Sequence, residues 1–264
     1  MKTKNNNVNP FFIEAGINHF GKTIEANLIL RYFLKSEFKN LTFMLHSKNF
    51  YLNQKKKGFN FELTKSFYKN AIDLCHKKKK KIGLSVSSEQ NFVDYMDLNF
   101  DFFKLLSLNI NNFKLINLLK KKNRPVYVST GHGAKDLNIK KCLKAFGDLK
   151  KKITILHTPM TYNPAELNLF KISHLREKFK LPVGYSNHND DINSLNALSA
   201  YNPTSIFIYC KPLDKKKRIY PDNRHAFFFD ELENLRVEYK NYYSMHFSNK
   251  IIKKVKIFTD EFRF

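Results

Sequence analysis

The chain has 264 residues, and its 47 lysines and arginines against 23 aspartates and glutamates give a formal net charge of +24. With 42% hydrophobic residues it can bury a large core, which excludes a disordered chain. No apolar run approaches the roughly 18 residues needed to cross a bilayer, and the N-terminus lacks the apolar segment of a signal peptide.

The first half of the chain alternates two kinds of segment. β-branched or aromatic runs predict strands at 11–17, 41–45, 82–86 and 102–106. Apolar residues at helical spacing predict helices at 23–34, 63–76, 89–96 and 112–121. The polar and basic stretch 47–58 predicts a loop.

The second half continues the same alternation. Strands are predicted at 126–129, 153–157, 182–185 and 205–209. Helices are predicted at 137–146, 169–179, 192–201 and 230–243, the last with Asp230 as its N-cap. Three widely separated cysteines argue against a disulfide framework, so a reduced, cytoplasmic setting is expected.

Eight strand–helix units in one chain predict a parallel sheet covered by helices. At this length the closed (β/α)8 barrel, or TIM barrel, is the favoured fold, as a single domain over 11–245. A flexible N-terminal segment is expected over 1–10 and a basic tail over 246–264. A doubly wound open sheet is the alternative, although the GINHFG turn at 16–21 lacks the glycine spacing of a dinucleotide site.

In a barrel of this kind, chemistry belongs at the carboxyl ends of the strands. Polar side chains occur there in every predicted strand but the second: Glu14, Asn18, His19, Ser85, Lys104, Ser107, Ser129, Thr130, His157, Thr158, Tyr162, Ser186, Asn187, His188 and Cys210. A lysine with several hydroxyls and histidines is typical of a phosphate or carboxylate site. Some have simpler interpretations: Ser129 could end a strand in a turn, His188 could be an ordinary loop histidine, and Cys210 could be a small buried hydrophobe.

The positive charge comes mostly from lysine runs, for example at 77–81 and 120–122. Such runs can bind nucleic acid, but they are also typical of a solvated surface. Specific nucleic-acid modules favour arginine, which is scarce here. Neither a specific nucleic-acid partner nor a membrane partner is therefore expected, although the charge should attract an anionic small substrate.

Four segments at predicted strand ends carry a family resemblance: EAGINHFG at 14–21, FKLLS at 103–107, PVYVSTG at 125–131 and PVGYSNH at 182–188. With Pro221 and Asp222 they resemble the sialic acid synthase (N-acetylneuraminate synthase) family, in its order and spacing, over about residues 11–235. The resemblance implies a phosphoenolpyruvate-dependent (β/α)8 barrel. Such an enzyme joins phosphoenolpyruvate to an N-acetylated hexose, such as N-acetylmannosamine, and produces a nonulosonic (sialic) acid and phosphate.

The resemblance also implies roles for individual residues. Phosphoenolpyruvate would be held by Ser85, Lys104, Ser107, Ser129, Tyr162 and Ser186. Glu14 would be the acidic group near the reacting carbons, and Asp222 would contact the sugar. A divalent metal, manganese or magnesium, would activate the sugar aldehyde, with His188 and the strand-eight position Cys210 as ligands; a thiolate at Cys210 would also suit zinc.

The chain departs from the family pattern at several positions. The strand-two lysine falls on Phe43, the strand-six asparagine on Met160 and the acid after the strand-four serine on Asn109. The strand-eight Glu-Lys-His reads Ile208, Tyr209 and Cys210. The family's C-terminal antifreeze-like domain, which helps to close the partner's site in a homodimer, is expected to be absent. Two hypotheses follow: a synthase of this type, or a catalytically impaired member that acts as a binding or partner protein.

Overall fold

A computed structural model describes residues 10–212 and 218–247. Its strands form one parallel sheet in chain order, and β1 pairs with β8 so that the sheet closes. The strands are β1 (Phe11–Glu14), β2 (Asn40–Leu45), β3 (Lys81–Val86), β4 (Phe102–Leu105), β5 (Val126–Ser129), β6 (Ile153–His157), β7 (Val183–Ser186), β8 (Ile206–Lys211) and β9 (Ala226–Phe228). The predicted (β/α)8 barrel is confirmed, with β9 as an addition that extends from β8.

Helices cover the outside of the barrel. They are α1 (Thr23–Lys35), α2 (Lys48–Lys56), α3 (Lys65–Lys77), α4 (Glu89–Val93), α5 (Phe113–Lys122), α6 (Asp136–Phe146), α7 (Lys171–Phe179), α8 (Ile192–Ala197) and α9 (Phe229–Phe247). Short 3-10 helices occupy Ser107–Asn109, Gly147–Lys152, Pro164–Glu166 and Leu198–Tyr201. Within the described residues, no helix is long and apolar enough to cross a membrane.

The strands alternate between an inner and an outer face, as the two-residue period of a strand requires. Phe12, Phe102, Leu156 and Phe207 meet inside the barrel, where Phe12 stacks on Phe207 with 4.5 Å between ring centroids. Their neighbours in sequence, such as Ile13 and Phe103, join the larger hydrophobic layer between barrel and helices. A side chain two positions beyond an inner phenylalanine therefore lies at the carboxyl mouth of the barrel.

The prediction of a loop at 47–58 is wrong, because α2 lies there. The Ser47 hydroxyl caps this helix by accepting a hydrogen bond from the Phe50 N–H at 3.1 Å. Phe50 stacks on His46 at 3.9 Å, and Tyr51 is buried with its hydroxyl accepting a hydrogen bond from the His46 N–H. Capping and two anchored aromatic rings thus outweigh the polar composition of the segment.

Other elements differ at their ends. The helix predicted at 89–96 stops at Val93, and the one predicted at 192–201 finishes as a 3-10 turn. The last helix begins at Phe229, so Asp230 lies in its first turn and is not the N-cap. The predicted N-terminal segment lies outside the described residues except for Pro10, and the predicted tail lies outside them beyond Phe247.

Candidate active site at the barrel mouth

The inner faces of seven strands deliver one polar side chain each to the carboxyl mouth. This follows from strand alternation, since each residue lies two positions beyond an inner residue or pairs with an inward residue of the neighbouring strand. The seven residues are Glu14, Thr42, Ser85, Lys104, Ser129, Ser186 and Tyr209. All seven residues are buried, and none has more than 5% of its surface exposed.

A buried ion pair lies at the centre of the mouth. Lys104 Nζ is 2.6 Å from Glu14 Oε2 and donates a second hydrogen bond to Ser186 Oγ at 3.0 Å. Ser85 Oγ donates to Glu14 Oε1 at 3.4 Å and lies 3.2 Å from the Thr42 hydroxyl. Burial lowers the pKa of Lys104, and the Glu14 carboxylate opposes that shift. The Glu14 and Ser186 contacts offset the free-energy cost of burying the Lys104 ammonium.

A second acid is held at the edge of the mouth. Asp222 Oδ2 accepts a hydrogen bond from the Ile17 N–H at 3.1 Å, and the Asp222 N–H donates to Asn18 Oδ1 at 2.9 Å. Gly16 has a φ of +53°, and a Cβ added there would lie 2.3 Å from Asp222 Oδ2, so only glycine allows this approach. Burial is the main reason why the pKa of Asp222 rises from 3.8 to about 6.

Three rings gather beside this acid. His225 lies 5.3 Å from His188 and 4.8 Å from Tyr209 between ring centroids, and His225 Nε2 is 4.0 Å from Asp222 Oδ1. Burial, with contributions from Lys104 and His225, lowers the pKa of His188 from 6.5 to about 3. Its Nδ1 is buried and has no hydrogen-bond partner among the described residues. His188 is therefore a neutral imidazole with a free nitrogen at the mouth.

Hydroxyl groups complete the mouth. Ser129 Oγ is buried and has no partner within the described part of the chain, which is unusual for a polar atom at 2% exposure unless a ligand or water fills the gap. Ser107 Oγ accepts a hydrogen bond from the Gly131 N–H at 2.9 Å, and so joins the loops after β4 and β5. Tyr162 lies on the loop after β6, and its hydroxyl oxygen is 3.3 Å from His225 Nδ1.

The side chain of Cys210 does not lie at the mouth. It is fully buried in the hydrophobic layer between barrel and helices, on the opposite face of β8 from Tyr209. Burial raises the pKa of its thiol, which stays protonated. Only its carbonyl oxygen reaches the site, where it accepts a hydrogen bond from Asn18 Nδ2 at 2.8 Å. The predicted metal pair of His188 and Cys210 is not formed.

Two other positions at which the chain departs from the family pattern, Phe43 and Ile208, also lie on the outer face of their strands. Phe43 faces outward, where its ring contacts Phe67 of α3 at 5.2 Å, so it does not stand where a cation could reach a ligand. The residue of β2 at the mouth is Thr42. Ile208 also lies in the outer layer, and Tyr209 is the strand-eight side chain that faces the site. His157 turns away too, with its Nε2 2.8 Å from the Leu167 carbonyl.

The predicted divalent metal does not fit the side chains that are present. Within 10–212 and 218–247, no three His, Cys, Asp or Glu side chains are grouped so that they could hold a metal ion. His188 offers a nitrogen, but the second predicted ligand lies on the other face of its strand. We therefore derive no step of the reaction through a metal, be it manganese, magnesium or zinc.

Four residues at the site were not predicted from the sequence: Thr42, Tyr209, Arg224 and His225. Extending the inward–outward alternation of the neighbouring strands to β2 and β8 would have placed the first two on the inner face. Arg224 and His225 follow Asp222 in a turn that lies beyond the last predicted strand, and no periodic pattern marks them.

Comparison with known proteins agrees with this architecture. The family model described as the NeuB family matches residues 29–246. N,N'-diacetyllegionaminic acid synthase of Campylobacter jejuni is 34% identical over 128 residues, 46% of this chain and 38% of that protein. N-acetylneuraminate-9-phosphate synthase of Homo sapiens is 32% identical over 99 residues, 36% of this chain and 27% of that protein. Both matches thus span less than half of the relative's length.

Solved structures show the same fold. N-acetylneuraminic acid synthetase from Leptospira borgpetersenii, in complex with citrate, has a TM-score of 0.82 at 22% identity, and the match covers 94% of this chain and 88% of that one. A truncated 3-deoxy-D-arabino-heptulosonate 7-phosphate synthase from Thermotoga maritima has a TM-score of 0.66 at 15% identity, with 90% of each chain covered. Because the family model covers most of the described barrel, the chain belongs to the NeuB family.

Proposed function

We propose that the chain condenses phosphoenolpyruvate with an N-acetylated hexose, such as N-acetylmannosamine, and so produces a nonulosonic (sialic) acid and phosphate. Membership of the NeuB family supports this class of reaction. The observation that carries the proposal is the buried Lys104, which lies between Glu14 and Ser186 inside a ring of inward hydroxyls. A buried lysine among hydroxyls suits the carboxylate and phosphate of phosphoenolpyruvate.

Each part of the mouth has a task in this proposal. Lys104 and the hydroxyls of Ser85, Ser129 and Ser186 bind the anionic groups of phosphoenolpyruvate. Ser129 Oγ, buried without a partner in the described chain, gains a hydrogen bond when the ligand enters. Ser107 and Tyr162 contribute from the loops, as the family resemblance implies.

The double bond of phosphoenolpyruvate attacks the aldehyde carbon, which forms the carbon–carbon bond, and the aldehyde oxygen takes up a proton. Water then adds to the resulting oxocarbenium carbon and gives up a proton, and the bond from that carbon to the phosphate oxygen breaks, so that the keto acid and phosphate are released. In this proposal the Glu14 carboxylate, with Oε2 on Lys104 and Oε1 on Ser85, accepts the proton of that water. Asp222, fixed by the Ile17 N–H, is placed to hold a sugar hydroxyl.

The experiment is a phosphate-release assay with phosphoenolpyruvate and a panel of N-acetylated hexoses, followed by mass spectrometry of the acid product. We expect release that requires both substrates and disappears in Lys104→Met. Lys240→Met, which removes an exposed lysine of α9, is the matched control and should keep full activity. Release that does not depend on the sugar, or that survives in Lys104→Met, contradicts the proposal.

A second candidate is a family member that binds phosphoenolpyruvate without turning it over and acts as a binding or partner protein. The position of the Cys210 side chain in the hydrophobic layer favours it, because the predicted pair of metal ligands is not formed. Binding of phosphoenolpyruvate without phosphate release for any sugar would select this candidate. A homodimer stays a prediction for either function.

A further inference from the structure

We propose that Arg224 forms a second anion subsite at the rim of the mouth, and that it takes the phosphate group of phosphoenolpyruvate. The inference rests on the proposed function and concerns a residue that no sequence pattern singles out. It also names which of the two anionic groups of the substrate lies outward, while the carboxylate lies inward at Lys104.

The charge balance of the mouth calls for another cation. Lys104 is already paired with Glu14 at 2.6 Å, and Asp222 adds a second carboxyl group. A phosphate monoester carries about −1.5 to −2 at neutral pH, and the substrate carboxylate adds to this. The strand-two position of the mouth is Thr42, which brings a hydroxyl and no charge. Among the seven inward strand residues of the mouth, all within the described chain, Lys104 is the one cation, and because it is already paired with Glu14, the phosphate has no cation of its own there.

The Arg224 side chain is 62% exposed and contacts two neighbours at the rim. Its guanidinium carbon lies 3.5 Å from the centroid of the Tyr162 ring, and its Nε donates to Asp190 Oδ2 at 3.0 Å. The two terminal nitrogens have no hydrogen-bond acceptor anywhere in 10–212 or 218–247. The free edge of a guanidinium presents parallel N–H groups that match two oxygens of a phosphate. Stacking and ion pairing therefore prepare this edge for a ligand without using it.

The rim subsite is connected to the centre of the mouth. The Tyr162 hydroxyl lies 3.3 Å from His225 Nδ1, and His225 Nε2 lies 4.0 Å from Asp222. His225 also packs on His188 and Tyr209, and Tyr209 pairs with Glu14 between β8 and β1. Contiguous side chains therefore join the rim subsite to the strand that carries Glu14, the partner of Lys104.

The test is calorimetric titration of the full chain with phosphoenolpyruvate and, separately, with pyruvate, which lacks the phosphate. The variants are Arg224→Gln, Arg224→Lys and Lys104→Met, with Arg236→Gln as the matched control, because Arg236 also pairs with a carboxylate through its Nε, that of Glu233 within α9. Thermal melting checks that each variant is folded. We expect Arg224→Gln to weaken phosphoenolpyruvate binding about tenfold or more, the size of a lost hydrogen bond to a charged group.

The pattern across ligands separates the outcomes. Support requires that Arg224→Gln leaves pyruvate binding unchanged and that Arg224→Lys gives an intermediate loss, since an ammonium keeps the charge and lacks the planar edge. Normal binding of phosphoenolpyruvate by Arg224→Gln, together with a loss in Lys104→Met, overturns the subsite and leaves the proposed function intact. Equal weakening of both ligands overturns the assignment to phosphate. No binding of phosphoenolpyruvate by the unaltered chain overturns the proposed function and the subsite together.

Discussion

Removal of Lys104 tests the central ion pair through stability alone, without any assumption about substrate. In Lys104→Met the side chain stays unbranched and similar in size but loses its charge, so the Glu14 carboxylate stays buried at 1% exposure with the Ser85 hydroxyl as its only remaining donor among the described residues. Breaking a buried pair in this way costs about 3–5 kcal/mol, because one charge remains without compensation. We expect a loss of that size in the free energy of unfolding, measured by urea denaturation at pH 7.

The double variant Glu14→Gln/Lys104→Met distinguishes the pair from mere packing. Both charges are then gone, while the Gln oxygen still accepts from Ser85 and the two side-chain volumes are preserved. The double variant should therefore recover most of the stability lost in the single variant, with a coupling of about 2 kcal/mol or more. Additive losses, or a cost below about 1 kcal/mol for Lys104→Met, would refute the buried ion pair.

Three further predictions concern the surroundings of the mouth and the end of α1. Burial raises the pKa of Asp222 to about 6, so the folded chain loses stability as pH rises from about 4 to about 6. Asp222→Asn should remove this pH dependence and raise the free energy of unfolding at pH 7 by up to about 3 kcal/mol. Urea unfolding of both proteins at several pH values measures the difference. Cys210→Ala should give the same calorimetric trace as the parent when titrated with Mn²⁺ or Zn²⁺, and heat of binding present in the parent but lost in the variant would contradict the outward position of its thiol. Lys80→Met removes the ammonium that donates to three main-chain carbonyls at and beyond the end of α1, and should cost about 3 kcal/mol in the same unfolding assay; a variant as stable as the parent would show that these bonds contribute nothing.

Most of the fold follows from patterns that are local in the sequence. Buried parallel strands appear as short apolar runs, and the helices between them show apolar residues at helical spacing. The strands at 126–129 and 153–157 were predicted with the bounds that the structure has. The prediction failed where one capping hydroxyl, that of Ser47, turned a polar stretch into a helix. It also missed β9, which has three residues and depends on pairing with β8.

The site was only partly predictable, and the physical reason is register. Lys104, Ser85 and Ser186 lie on the inner face because each falls in phase with the interior of the barrel. A match between sequence motifs does not show which face of a strand a residue occupies, and a shift by one residue moves a side chain to the other face. Cys210 and Tyr209 show the consequence, since adjacent residues of β8 lie in different layers of the protein.

The most direct test of the account is a crystal structure of the chain with phosphoenolpyruvate bound. The account predicts the ligand in the barrel mouth, with its carboxylate within hydrogen-bond distance of Lys104 Nζ and its phosphate turned toward Arg224. Ser129 Oγ, which has no partner in the described chain, should donate to the ligand. A ligand bound elsewhere on the protein, or a mouth that stays empty at saturating concentration, would contradict the claim that this is a phosphoenolpyruvate site.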